Sequence, residues 1–190
     1  MESEYGEDYE LVWRRKGVRI GEVRNHVKDR AAYRRIRIVK DDAEMNEVKM
    51  RFLVSIRRQG EPYILVSSDF LNLSETHQVA AIWHEVGHVH HEHYELLLSL
   101  GLQNQNELAQ RRREYTKRNE AVPEEVEADA FAVKQVGNLI VVDFLKYLMD
   151  TRPVGASGGI NDLGRQELAL RIALIENRPH MSTHAGPITL

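Results

Sequence analysis

Cysteine is absent from the 190 residues, which excludes a disulfide framework and any thiolate metal site, so a metal here would have to be held by histidine and carboxylate. Long apolar runs are absent too. The most hydrophobic stretch, residues 138–149, is broken by Asp143 and Lys146 and falls short of the roughly 20 apolar residues that span a bilayer. Residues 1–10 are acidic and polar where a secretory leader would be basic and then apolar, so a cytoplasmic protein with no membrane span is expected. A basic excess is also missing. The net charge is -3 and the pI about 6.3, which is not the electrostatic footprint of a nucleic-acid binder. Local basic clusters at residues 14–16, 34–37 and 111–113 each lie near acids and read as solvated faces, so no nucleic-acid partner is expected. No internal repeat or low-complexity tract is visible.

What the chain does have is the balance of a folded protein, with 42% hydrophobic and 29% charged residues. Its length fits a single domain over residues 1–190, with 1–40 as a candidate N-terminal extension and 178–190 as a flexible tail. Residues 9–13 and 18–23 lean towards strands, with a turn signal at Lys16-Gly17. In residues 41–58 the positions of Met45, Val48, Met50, Leu53 and Ile56 suit one helix, stopped by Gly60 and Pro62. Residues 63–67 read as a short buried strand around Ile64, Leu65 and Val66.

Ser74 is a plausible N-cap, with Glu75 in the first turn of a long helix that runs to about Leu98. Residues 101–110 are polar and read as including a loop, and 107–117 read as an exposed helix. Pro123 suits the first turn of a helix running to about Val136. A further helix follows over 138–150, then a Pro- and Gly-rich loop at 153–159, and Asn161 is placed to cap a last helix that reaches Glu176.

The chemistry centres on His84-Glu85-Val86-Gly87-His88, an H-E-x-x-H pattern. Residues four apart share one helix face, so both imidazoles reach one metal ion, while the intervening Glu85 is placed to act on a water as general base. The pentapeptide alone is weak, but the helical wheel adds support. Val79, Ile82, Trp83, Val86 and Val89 form one apolar stripe, and His84 and His88 point elsewhere, beside Ala80 and Ala81. His90 and His93 fall on or near the stripe and read as packed, hydrogen-bonded histidines, and His91 reads as exposed.

A catalytic zinc needs a third protein ligand and an open fourth position. In the segment from Glu124 to Ala132, Glu125 and Asp129 project with Ala128, Ala132 and Val136, whereas Glu127 projects with Lys134 on the opposite side. Two acids on a small, apolar face need a partner, since burying unpaired charge costs several kcal/mol. Glu125 is therefore assigned as the third zinc ligand. Asp129 is assigned as the acceptor that orients a ligand imidazole through its other N–H.

These residues resemble the HtpX and CAAX prenyl protease type of gluzincin metallopeptidase over about residues 64–136, both in the H-E-x-x-H stretch ending at His93 and in the Glu-Val-Glu-Ala-Asp segment. With no membrane helix in sight, the chain looks more like the minigluzincins, the soluble minimal catalytic domains of that group. The resemblance implies an α+β, zincin-like fold, mostly helical, with a small mixed sheet over the H-E-x-x-H helix and a following glutamate helix. It also implies that Glu125 and Asp129 take the ligand and supporting roles. Arg171-Ile172-Ala173-Leu174 is similar to a late R-I-x-x-L segment of the group, which would put Arg171 near the site as an oxyanion stabiliser. A pair with Glu167 on the same helix is the other reading.

The expected activity is zinc-dependent peptide-bond hydrolysis through a water activated by the metal, with a peptide or protein substrate paired as an added strand along Ile64, Leu65, Val66 and Ser67. Two readings of the chain ends stay open: an ordinary tail, or a latency device in which His180, His184 or an N-terminal carboxylate takes the open zinc position. Rivals are an ImmA/IrrE-like regulatory peptidase acting on a repressor, and a non-catalytic zinc-binding interaction module. Against the module, a purely structural site has no use for a base at Glu85.

Overall fold

The computed structural model describes residues 9–13, 19–26, 35–47, 50–101, 105–151 and 160–177. The Lys16-Gly17 turn, the 153–159 loop, His180 and His184 lie outside the described residues. Architecture is mixed α+β, with helices predominating.

Strands β1 (Tyr9–Trp13), β2 (Arg19–Asn25), β3 (Arg35–Lys40), β4 (Leu53–Arg58) and β5 (Glu61–Val66) form a five-stranded sheet in the order β1-β2-β3-β5-β4. β3 and β5 run parallel and the other neighbours antiparallel. β3 is not expected from sequence, where its arginines read as a solvated basic cluster. Its pattern is nevertheless that of a half-buried strand: Ile36 and Ile38 are buried while Arg35 and Arg37 alternate outwards. Tyr9, Ile20, Val23, Ile36 and Ile38 belong to the same buried cluster as the helices, so the candidate extension supplies three of the strands that cover the core.

The single helix expected over residues 41–58 is a short helix α1 (Asp42–Glu47) followed by β4. The reason lies in what comes next. Gln59 and Gly60 both adopt positive φ, 52° and 83°, the conformation of a two-residue hairpin turn whose twist matches that of its strands. Arg58 thereby pairs with Glu61, and β-branched Val54 and Ile56 join the ladder of β5. Tertiary pairing overrides the helical spacing.

After the one-turn α2 (Ser68–Leu71), helix α3 (Glu75–His90) starts where expected, with the Ser74 side chain accepting from the His77 N–H at 3.2 Å. It does not continue to Leu98. Glu92 sits at φ 56°, which breaks the helix, and α4 (His93–Ser99) begins at a new angle. α5 (Gln105–Lys117) precedes α6 (Pro123–Val136), which has Pro123 in its first turn and ends at Gly137, φ 89°. α7 (Asn138–Thr151) and α8 (Ile160–Glu176) complete the chain, with Asn161 inside α8 and not before it. α3 is the central element. It packs on β4, β5, α6 and α7, with Val79, Ile82, Trp83 and Val86 in the common core and Trp83 edge-on to Tyr9 of β1, while α8 packs on α7 and α6. Among the described residues no helix is long and apolar enough to cross a membrane.

Candidate metal centre

α3 and α6 cross at their smallest residues. A Cβ added at Gly87 would lie 2.8 Å from the Ala128 Cα and 3.1 Å from the Phe131 Cβ, so this approach is available only to glycine. The crossing brings Glu125, in the first turn of α6, against the face of α3 that carries His84 and His88. His84 Nε2 lies 3.1 Å from His88 Nε2 and 3.3 Å from Glu125 Oε2. Donor atoms around a tetrahedral metal ion with metal–nitrogen distances near 2.0–2.1 Å stand about 3.3 Å apart, so these two spacings suit one shared metal ion.

Both imidazoles are held from behind. His84 Nδ1 lies 2.9 Å from Asp129 Oδ1, in agreement with the helix projection. Arg171 of α8 donates to both Asp129 oxygens at 2.6 Å and to Glu125 Oε2 at 2.8 Å. The guanidinium thus reaches the two site carboxylates, and the charge of Glu167 on its own helix also lies nearby. On the other imidazole, His88 Nδ1 lies 2.8 Å from His93 Nδ1, and His93 Nε2 lies 2.9 Å from Glu127 Oε2. Glu127, expected to project with Lys134 on the other side of α6, is half exposed and has in His93 a partner that the helical wheel does not suggest.

The basic triplet at 111–113 is not simply a solvated face. Arg112 donates to Glu125 Oε1 at 2.5 Å, and Arg111 forks onto both oxygens of Glu124 at 2.7 and 2.8 Å. The partners that the three buried acids of α6, Glu124, Glu125 and Asp129, require are therefore supplied in part by arginines. No local pattern could have found Arg112, because α5 reaches Glu125 only through the tertiary fold. His93 is visible in the sequence as a histidine five residues after His88. On one continuous helix the two would point about 140° apart, and only the break at Glu92 lets them meet.

Glu85 lies on the β4 side of α3. Its Oε2 accepts from the Ser55 N–H at 2.7 Å, and the side chain is buried. The expected strand addition along Ile64, Leu65, Val66 and Ser67 meets a correction here. β5 is flanked by β3 on one side and β4 on the other, and its apolar residues are fully buried, so it has no open edge. Ser67 caps α2, accepting from the Phe70 N–H at 3.2 Å. The outer strand of the described sheet on this side is β4, whose Ser55 N–H points at Glu85.

The electrostatics separate the two imidazoles. Burial alone would depress His84, but hydrogen bonds to Asp129 and Glu125 outweigh it and hold the imidazole up to about 9. His88 is pushed well below the ordinary range, by burial first and then by the charge on His84. A protonated His84 can donate to the bare Nε2 of His88, so a single proton suffices between the facing nitrogens. Burial would raise Glu125 and Asp129; Arg112 and Arg171 instead hold Glu125 well below the carboxylate range, and Arg171 with the His84 hydrogen bond lowers Asp129. Burial raises the Glu85 carboxyl, with the charge on His84 and the Ser55 N–H opposing. Among the described residues His84, His88 and Glu125 form one group able to hold a metal ion, with ligand atoms within 4.8 Å of one another. A scan against protein-family models, a search of curated proteins and a search of solved structures each found no match to this chain.

Proposed function

We propose that the chain is a zinc-dependent endopeptidase of the gluzincin type with a zincin-like fold, in which His84, His88 and Glu125 hold the ion and Glu85 is the general base. The observation that carries this reading is the convergence of two imidazoles of α3 and one carboxylate of α6, their ligand atoms within 4.8 Å of one another, with the buried Glu85 carboxylate on α3 as well. A zinc ion held there supplies Lewis acidity, lowering the pKa of water and polarising a peptide carbonyl.

The remaining work falls to the chain's own residues. Glu85 takes a proton from water and passes it to the leaving amine nitrogen, and a carboxyl raised by burial is suited to both halves of that transfer. The Ser55 N–H fixes the orientation of the carboxylate. Backbone groups two residues apart on a strand point the same way, so Leu53 and Arg57 share the direction of Ser55, and a peptide paired along β4 would lie beside Glu85. Arg171 is buried and turned towards Asp129, Glu125 and His84, which suits it to orienting ligands and not to catching an oxyanion.

The test is metal analysis of wild type and Glu125→Ala, alongside cleavage of an unfolded protein by wild type and Glu85→Gln. One zinc per chain is expected in wild type and in Glu85→Gln, cleavage only in wild type, and little zinc in Glu125→Ala. A folded wild type that takes up no zinc overturns the reading. One observation favours a second reading: Arg112 and Arg171 already neutralise Glu125, so the cluster can stand as a metal-free ion-pair core of an interaction module. Zinc uptake decides between the two.

A further inference from the structure

Metal-binding histidines are held in one tautomer by whatever their second nitrogen touches. For His84 that group is Asp129, a carboxylate. For His88 it is another imidazole, His93 Nδ1 at 2.8 Å, and an imidazole nitrogen can either donate or accept, so this contact alone leaves the His88 tautomer undefined. The direction is set one step further out. His93 Nε2 lies 2.9 Å from Glu127 Oε2, and a carboxylate offers only acceptors. A neutral His93 must therefore carry its hydrogen on Nε2 and present a bare Nδ1. His88 must in turn donate its Nδ1–H to that nitrogen, which leaves the Nε2 lone pair facing His84 Nε2 and Glu125 Oε2.

We propose that Glu127 and His93 form a directional hydrogen-bond relay that selects the metal-binding tautomer of His88, making both of them positioning residues of the site. The inference rests on the metal-site reading above. It also gives a reason for two features of the fold. His93 is only 2% exposed, and the helix break at Glu92, an unfavourable positive φ for a non-glycine residue, is what brings it onto His88. Glu127 is half exposed, on the α6 face opposite Glu125, and the relay assigns it a role there that a solvated acid would not have.

Glu127→Lys provides a directed test because an ammonium can only donate. The relay would then run backwards: the introduced ammonium donates to His93 Nε2, His93 Nδ1–H donates to His88 Nδ1, and the His88 hydrogen moves to Nε2, where it blocks the metal. Zinc affinity would be measured by competition with a chromophoric chelator for wild type, Glu127→Lys, Glu127→Gln, His93→Phe and the Glu127→Lys/His93→Phe double variant. The His88 tautomer in the metal-free proteins would be read by long-range nitrogen–proton NMR.

Expected are Nδ1–H on His88 in wild type and Nε2–H in Glu127→Lys. Affinity should fall about 10- to 100-fold in Glu127→Lys and in His93→Phe, less in Glu127→Gln, and no further in the double variant than in His93→Phe alone. A direct effect of the introduced positive charge on the ion would instead persist in the double variant and would overturn the relay. The relay also fails, with the metal site intact, if wild type binds one zinc and Glu127→Lys and His93→Phe both match it. A wild type that binds no zinc removes both. Should His93→Phe not fold, Glu127→Lys, at a half-exposed position, still carries the tautomer test.

Discussion

Replacing Gly87 by alanine tests whether the α3–α6 crossing sets the site. Gly87 is in the middle of α3, where its backbone is helical, so alanine should favour the helix by up to about 1 kcal/mol. The added Cβ would, however, stand 2.8 Å from the Ala128 Cα and 3.0 Å from the Ala128 carbonyl oxygen. Carbon atoms pack at about 3.5–4.0 Å, so the helices must part by roughly 0.5–1 Å, and overpacking of this kind costs about 1–3 kcal/mol. The contact atoms are backbone, which cannot swing aside as a side chain can. The net expectation is a loss of roughly 1 kcal/mol in denaturant unfolding of the metal-free protein. The metal readout should respond more sharply. Glu125 is one turn from Ala128 on the same helix, and ligand distances tolerate only about 0.2 Å, so zinc affinity should drop at least about tenfold in a chelator competition. A Gly87→Ala protein at least as stable as wild type and with the same zinc affinity would refute the argument that this crossing positions the ligands.

Arg171→Leu leaves the buried carboxylates of Glu125 and Asp129 short of their main cation, and a loss of about 3–5 kcal/mol in denaturant unfolding is expected; a loss under about 1 kcal/mol would show that Arg112 and His84 suffice. Zinc must displace the proton on His84, held up to about 9, so affinity should rise with pH across neutrality and calorimetry in two buffers should find about one proton released per ion at pH 7. No proton release would mean that His84 is already neutral. For the metal-free protein the linkage has both signs. Glu125 and Asp129, lowered on folding, stabilise above the usual carboxylate range and lose that contribution as acid protonates them; His84, raised on folding, stabilises below about 6.5 and loses its contribution as pH climbs to about 9. Asp129→Asn should flatten the acid limb of the stability profile, and an unchanged limb would contradict the assignment.

The parts of the site legible in the sequence are those written in local periodicity. His84, Glu85 and His88 share one helix, and the wheel that places Val79, Ile82, Trp83 and Val86 in the core turns the histidines away from it. Glu125 and Asp129 are legible for the same reason, on a helix announced by Pro123. The sheet is less legible because strand order is a long-range property. The continuous apolar run at Ile64, Leu65 and Val66 suggests a place for a peptide to pair, yet apolarity on both faces is the mark of an interior strand, and β5 is one. β4 is hidden in a helical spacing until Gln59 and Gly60 are read as a hairpin turn. Arg112 and the His93–Glu127 pair depend on where α4 and α5 come to rest. The break that places α4 occurs at a glutamate, with no glycine to announce it.

Glu125 faces two guanidiniums and the His84 imidazole at once, and its geometry indicates what each does. A carboxylate has about four lone-pair directions. Arg112 uses one on Oε1 at 2.5 Å and Arg171 one on Oε2 at 2.8 Å. Oε2 is also the oxygen 3.3 Å from His84 Nε2, so its remaining lone pair is the one available to a shared ion. The two guanidiniums fix the carboxylate plane in advance, which favours binding, and they also place positive charge near the ion, which opposes it. The balance should differ between them. Arg112 is 47% exposed, reaches the oxygen turned away from His84 and is replaceable as a hydrogen-bond donor, so Arg112→Gln keeps the orientation while removing a charge. Arg171 is buried and holds Glu125 and Asp129 together, so Arg171→Gln loses orientation first. Zinc affinity should therefore rise in Arg112→Gln, by no more than about tenfold given solvent screening, and fall in Arg171→Gln. Changes of the same sign in both variants would show that the two arginines act on Glu125 in the same way and would overturn this division of roles.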